Sequence, residues 1–384
     1  MWRHIASNAL NLLAVVIFLA AGALMWADRT YKGPGPLAEA ICVEVPRGTN
    51  FRRVSDTLAD QGAVRSAVML RLGADYSGKT SELKAGSYLV QPGASMSEIV
   101  DIVTRGGAST CGTEVVYRIG ITRVLVEVRE LDPATGRFAE QLQFNPAEAE
   151  APEGYTAVKA QADTRYRVAL AEGVTSWQVV QELNQIDVLE GSVQVPPEGS
   201  LAPDSYDIRP GDSRADLVAR MTAAQDRILE AAWANRADGL PLETPQEALI
   251  LASIIEKETS VPAERPQIAS VFVNRLEQGI RLQTDPTVIY GVTEGRGVLG
   301  RGLRRSELDR TTPWNTYRID GLPPTPIANP GRASIEAALN PADTNLIFFV
   351  ARSLDPSDGH AFAETLTEHN RNVAAYRALE RAAE

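Results

Sequence analysis

The chain has 384 residues, of which 44% are hydrophobic and 23% charged. Those proportions exclude a disordered protein, and the length exceeds one ordinary core, so two or three domains are expected. A net charge of −11 argues against a nucleic-acid partner, and no P-loop or Rossmann glycine pattern supports nucleotide chemistry.

Residues 9–27 carry no charged side chain, and Asn11 is their only strongly polar one. That run is long enough to cross a bilayer. Residues 1–8, with Arg3, then form a short cytoplasmic tail, which puts everything after about Ala27 on the outer side of an inner membrane. The rival is a cleaved signal peptide ending near Ala21-Gly22-Ala23; the run is longer than a signal core, which favours the anchor. Residues 28–40, containing Gly33-Pro34-Gly35-Pro36, read as a stiff linker. The two cysteines, Cys42 and Cys111, are either a disulfide permitted by that compartment or two separate buried thiols.

A module over 41–107 follows. Ile41 to Val45 alternates as a strand, a helix carries Val54 and Leu58 up to Gly62, and Val64 to Leu72 reads as a second helix. Gly86 to Val90 is a strand, and Ser95 caps a helix. Ser87-Tyr88, Pro92-Gly93, Ser95 and Val100 return at one offset as Ser205-Tyr206, Pro210-Gly211, Ser213 and Val218. Gly48, Val54 and Leu58 have looser echoes in Gly173, Val179 and Leu183. The pattern predicts two copies of a strand-helix-helix-strand unit, the second over about 164–222. Between them, over 108–163, Thr113 to Glu130 alternates as a hairpin, and Asp132 to Glu153 reads as an exposed loop.

Thr244-Pro245-Gln246-Glu247 has the form of a capping box. The helix it opens places Glu256 on one face with Leu249, Ala252 and Ser253, where desolvation would let the acid hold a proton. Glu258 points nearly the opposite way, so no close dyad is expected. The alternative for Glu256 is a structural ion pair with Arg265, Arg275 or Arg281. A second amphipathic helix closes at Gly279. Arg281 to Gly291 is not expected to be helical around Asp285-Pro286. Gly295 to Gly302 reads as a loop, and two proline-rich loops span 313–331. Asn345 to Val350 reads as a buried strand, and a helix starts at about Leu366.

Hydrolysis of a glycosidic bond needs two carboxylates, here Glu256 with Asp285. A lyase needs one, which protonates the leaving oxygen and then deprotonates a hydroxyl of the same sugar. Neither His4, His360 nor His369 sits in a zinc motif, so no metal or other cofactor is expected.

Leu251 to Thr259, Ala269 to Leu276 and Leu282 to Gly291 closely resemble the endolytic murein transglycosylases, the YceG-like family. Asn315-Thr316-Tyr317, Gly321-Leu322-Pro323-Pro324, Ile327-Ala328, Pro330-Gly331 and the pattern Phe349-Val350, His360, Phe362, His369-Asn370 match further motifs in order. The resemblance implies an α+β protein with an N-terminal transmembrane helix, a LysM-like module over 41–107, and a mixed α/β catalytic domain with long loops over 164–384. It implies cleavage of nascent peptidoglycan glycan strands with 1,6-anhydro-N-acetylmuramic acid left at the new end. Glu256 matches the catalytic glutamate, and cell-wall synthases are the implied protein partners. Gln283, Thr284, Asp285, Tyr290, Asn315, Tyr317, His360 and Asn370 are the candidates for binding sugar, although several equally suit a role in holding loops. Residues 113–153 look like an insertion. Ser200 or Leu201 stands where the family usually has a bulky or aromatic residue. The rival functions are a non-catalytic peptidoglycan-binding scaffold and a muramidase that uses water.

Overall fold

The computed structural model describes residues 2–105, 110–148, 150–161 and 164–383, with only the backbone of 2–9. The boundaries expected at 107–108 and 163, and the side chains of Arg3 and His4, lie outside the described residues.

One compact unit takes residues 1–115, 127–144 and 149–165. Helix α1 (Trp2–Lys32) is apolar and exposed over 10–26, and residues Leu10–Lys32 are long and apolar enough to cross a membrane. The expected linker is not free. Its first residues are helical, and Gly35 N–H donates to the Gly93 carbonyl at 3.0 Å. Strand β1 (Ile41–Val45), helices α2 (Phe51–Asp60) and α3 (Ala67–Tyr76), strand β2 (Gly86–Val90) and helix α4 (Met96–Thr104) then build the module. Asn50, Ser66 and Ser95 cap the three helices, each accepting from the backbone N–H three residues on. The Ser66 cap starts α3 later than hydrophobicity alone indicated. β1 and β2 are antiparallel with Val43 opposite Tyr88, and Leu58, Leu70, Val90 and Ile99 fill the core. Cys42 and Cys111 form a disulfide.

Strands β3 (Thr113–Ile119), β4 (Val124–Asp132) and β5 (Arg137–Phe144) follow, with β4 between the other two. The hairpin is as expected, but β5 occupies part of the expected loop. Phe138, Leu142 and Phe144 are its less exposed residues, all on one face of the pleat. Helix α5 (Glu153–Lys159) sets Tyr155 edge-on against Phe144.

The second unit takes residues 116–126, 145–148 and 166–384. It opens with β6 (Arg165–Leu170), α6 (Ser176–Gln185), β7 (Ser205–Ile208) and α7 (Arg214–Ala234). β6 and β7 pair antiparallel with Val168 opposite Tyr206, as Val43 stands opposite Tyr88. Tyr88 donates to the Lys84 carbonyl and Tyr206 to the Ala202 carbonyl, in each case four residues back. Gly48 and Gly173 both take φ near 80°. The second copy holds one helix rather than two, because Pro196, Pro197 and Pro203 interrupt the segment where another would lie.

Helices α8 (Pro245–Glu258), α9 (Arg265–Glu277), α10 (Asp285–Thr293), α11 (Arg305–Asp309) and α12 (Arg332–Leu339) come next, then β8 (Phe348–Ala351), β9 (His360–Ala363) and α13 (Leu366–Ala383). Leu251, Ile254, Ile255, Phe272, Ile335 and Leu339 are fully buried together, so α8, α9 and α12 share one core. Asp285-Pro286 begins a helix rather than preventing one, since proline is tolerated in the first turn where no intrahelical N–H bond is lost. The expected buried strand is a partly exposed one, since among the described residues β8 pairs only with β9.

Candidate active site

The capping box predicted for α8 is present, with Thr244 and Glu247 bonded reciprocally and Pro245 in the first turn. Every residue from Ala248 to Ile255 is buried. The helix is therefore covered nearly all round, and its last turn delivers Glu256 and Glu258 to two different neighbourhoods.

Glu256 is 6% exposed and well furnished with partners. One carboxylate oxygen accepts from Gly331 N–H at 3.0 Å and from the Ser334 hydroxyl at 2.8 Å. The other lies 3.5 Å from the Arg265 guanidinium, which is also 3.2 Å from Glu172. Of the three arginines weighed as partners, Arg265 takes the role. Arg275 donates to the Ile347 and Leu282 carbonyls, and Arg281 pairs with Asp320. Glu256 thus ties the end of α8 to the starts of α9 and α12.

Glu258 is partly exposed and faces the motif that follows α9. It accepts from the Thr284 hydroxyl. Thr284 stands at the start of α10, but its side chain makes no capping bond there. Burial pushes the Glu258 carboxyl up to about 7; the Thr284 bond and Arg275 work against this, and Asp285 adds to it.

The surrounding turn is fixed from both sides. Thr284 N–H donates to the Thr316 hydroxyl at 3.0 Å, and Thr287 donates to the Thr284 carbonyl at 2.7 Å. Gln283 is exposed, donates to the Thr316 carbonyl at 3.2 Å, and holds φ of 52°, a left-handed conformation costly for a side chain of its kind. Tyr317 donates to Asp285 at 2.8 Å. Asn315 is fully buried, with its amide nitrogen donating to the carbonyls of Glu307, Leu308 and Arg310 and its oxygen accepting from Tyr317 N–H. Its amide serves the loop. Thr284, Asp285 and Tyr317 accordingly collect around Glu258, with Gln283 and Asn315 in the turn and loop that hold them.

Tyr290 donates to Glu198 at 3.2 Å and lies against Trp314, ring centroids 5.7 Å apart. Burial raises the Glu198 carboxyl and lowers the Lys257 ammonium between Glu198 and Glu256. His360 stands apart, its Nδ1 at 2.9 Å from Glu264. Asn370 is exposed on α13. The sequence points to Glu256 by its helix face and by its match to the family's catalytic glutamate; on a helix buried all round the face alone does not separate it from Glu258. The signal for Glu258 is the Thr284-Asp285 pair, which the fold carries to it.

The fold repeats a small unit and ends in a helical core with an acid at the end of its central helix. A profile of the YceG-like family matches residues 43–375. The chain belongs to that family. It is 27% identical over 384 residues to proteins named endolytic murein transglycosylase in two strains of Streptococcus pneumoniae, covering 97% of this chain and 66% of each of those. It is 28% identical over 339 residues to the Bacillus subtilis protein of that name, covering 88% of this chain and 84% of that one. The chain thus spans just under two thirds of the length of the pneumococcal relatives. A crystal structure of a yceG-like protein from Listeria monocytogenes aligns over 87% of this chain and 98% of that one, at 25% identity and a TM-score of 0.45.

Proposed function

We propose that this chain is an endolytic peptidoglycan lytic transglycosylase whose general acid and base is Glu258. Family membership and the names of the relatives support the reaction. The observation that carries the residue is the desolvated Glu258 carboxyl, titrating near 7 beside Asp285 and Thr284. An acid of that pKa supplies both protonation states at neutral pH. Glu256, the residue expected from the sequence, is fully engaged with Gly331, Ser334 and Arg265 and takes a positioning role in this reading.

Glu258 gives its proton to the glycosidic oxygen as the bond from the muramic anomeric carbon breaks. The carboxylate then takes the proton of the C6 hydroxyl of the same sugar, whose oxygen bonds to the anomeric carbon. Bonds and protons balance without water, and the products are a 1,6-anhydro end and a free glucosamine hydroxyl. Asp285, held by Tyr317, would oppose the positive charge that develops at the anomeric carbon. Gln283 and Tyr290 are the further sugar-binding candidates, while Thr284 and Asn315 hold the loop. His360 and Asn370 belong to the reading only if the glycan extends that far.

The α1 helix acts as a single-pass anchor with the rest of the chain outside, a side on which the Cys42–Cys111 disulfide persists. The repeated units are LysM-like in this reading, and the cell-wall synthases are the protein partners the resemblance implies. Asp285 beside Glu258 also supports a second reading, a muramidase with two carboxylates. The test is mass spectrometry of products from uncrosslinked glycan strands. Ends one water lighter than hydrolysis products, lost in Glu258→Gln and kept in Glu256→Gln, are expected. Reducing ends would favour the muramidase, retained activity in Glu258→Gln would refute the assignment, and bound but uncut glycan would indicate a scaffold.

A further inference from the structure

Helix α3 is apolar on both sides. Leu70 and Ala74 are fully buried, while Val68, Leu72 and Tyr76, spaced four apart, are 57%, 63% and 96% exposed. A helix packed on one side only would normally carry polar residues on the other. The stripe begins where α1 ends. Tyr31 packs so tightly over Gly73 that a Cβ at that position would lie 2.1 Å from its ring. Tyr76 lies within electrostatic reach of Lys32.

The level of this contact follows from helix geometry. The uncharged part of α1 ends at Ala27, and the five residues from there to Lys32 rise about 7.5 Å. One headgroup layer is about 5–8 Å deep. Tyr31, Gly73 and Tyr76 therefore sit at the height of the headgroups if Ala27 marks the edge of the hydrocarbon, and tyrosine is enriched at that height. The bilayer surface is continuous with the surface that α1 itself occupies.

We propose that the Val68, Leu72 and Tyr76 face of α3 rests in the outer interface of the membrane that α1 spans. The inference rests on the anchor reading of α1. It gives the first module two contacts with lipid, one through the bilayer and one along its surface, so the module is held to the membrane rather than swinging from a tether. Apolar side chains inserted at headgroup depth alongside a spanning helix are a recurrent way of fixing orientation.

The test uses the full chain in vesicles of phosphatidylethanolamine and phosphatidylglycerol, with the native disulfide intact. Single nitroxides are attached at Leu72→Cys, Tyr76→Cys, Ile17→Cys and Arg53→Cys, and collisions with oxygen and with a water-soluble nickel chelate are measured. Positions 72 and 76 should lose nickel collisions and gain oxygen collisions relative to the exposed position 53, falling between it and position 17. Having two stripe positions separates a local perturbation from the real depth. If position 17 lies in hydrocarbon but 72 and 76 match 53, the proposal is wrong and the anchor stands. Free nickel collisions at position 17 would overturn both. Protection at 72 and 76 that persists after transfer to amphipol would mean a protein partner, and would also overturn the proposal.

Discussion

Replacing Glu258 with glutamine should abolish cleavage and stabilise the fold at the same time. The carboxyl titrates at about 7 in the folded chain against an ordinary 4.5, a displacement worth about 3 kcal/mol at about 1.4 kcal/mol per pH unit. The sign follows from proton binding. Between 4.5 and about 7 the folded state holds a proton that the unfolded state has released, so stability falls as pH rises through that window and levels off above it. Glutamine is neutral at every pH and can still accept from Thr284. The stability difference between Glu258→Gln and the native chain should therefore grow by up to about 3 kcal/mol in favour of the variant between pH 4 and pH 8. Urea unfolding followed by tryptophan fluorescence, with both proteins in the same detergent, measures it across that range. Parallel stability curves for the two proteins would refute the argument, since they would mean that the carboxylate is not buried at a cost. Native kcat/KM should also fall with increasing pH above about 7, as the acid form is lost.

Glu256→Gln should keep the lytic products while losing about 1–3 kcal/mol of stability, because one of the two carboxylates facing Arg265 is lost while Glu172 remains; unfolding and product analysis on one preparation check both. Asn315→Ala removes the side-chain donor to the carbonyls of Glu307 and Arg310, while Leu308 keeps Arg318, and should cost about 2–4 kcal/mol, read from the unfolding midpoint. Replacing Cys42 and Cys111 by serine opens a covalent loop with a sequence separation of 69, which the chain-entropy relation values at about 4 kcal/mol. That loss should appear in hydrogen exchange of β1, β2 and α4, with α8 and α9 unchanged.

Much of the fold was legible because local signals agreed with one another. Ser95 and Thr244 mark helix starts in the sequence, whereas the caps at Asn50 and Ser66 emerge only from the bonds in the structure. The constant offset between Tyr88 and Tyr206 reappears as the same bond from the tyrosine hydroxyl to the carbonyl four residues back in both copies. What escaped the sequence depended on context. The three apolar residues of β5 are sparse in a polar segment, and their edge position is set by pairing with β4. Pro286 reads as a helix breaker until the helix is seen to start one residue before it.

The choice between the two glutamates shows the limit most plainly. Counting along a helix gives directions, and it correctly separated Glu256 from Glu258. It does not say what stands in each direction. A face rich in leucine and alanine indicates burial, but burial alone fits a structural acid as well as a catalytic one. The distinction lies in what the buried carboxylate is given. Glu256 receives an N–H, a hydroxyl and a nearby guanidinium, partners suited to a structural tie between helices. Glu258 receives one hydroxyl, with a second carboxylate nearby, and keeps a partly open side. Those partners come from residues 284 and 285 on one side and 331 and 334 on the other. Only the tertiary fold assigns each pair to its acid, so the difference between the two carboxyls is a property of the packing around the end of α8 rather than of the helix itself.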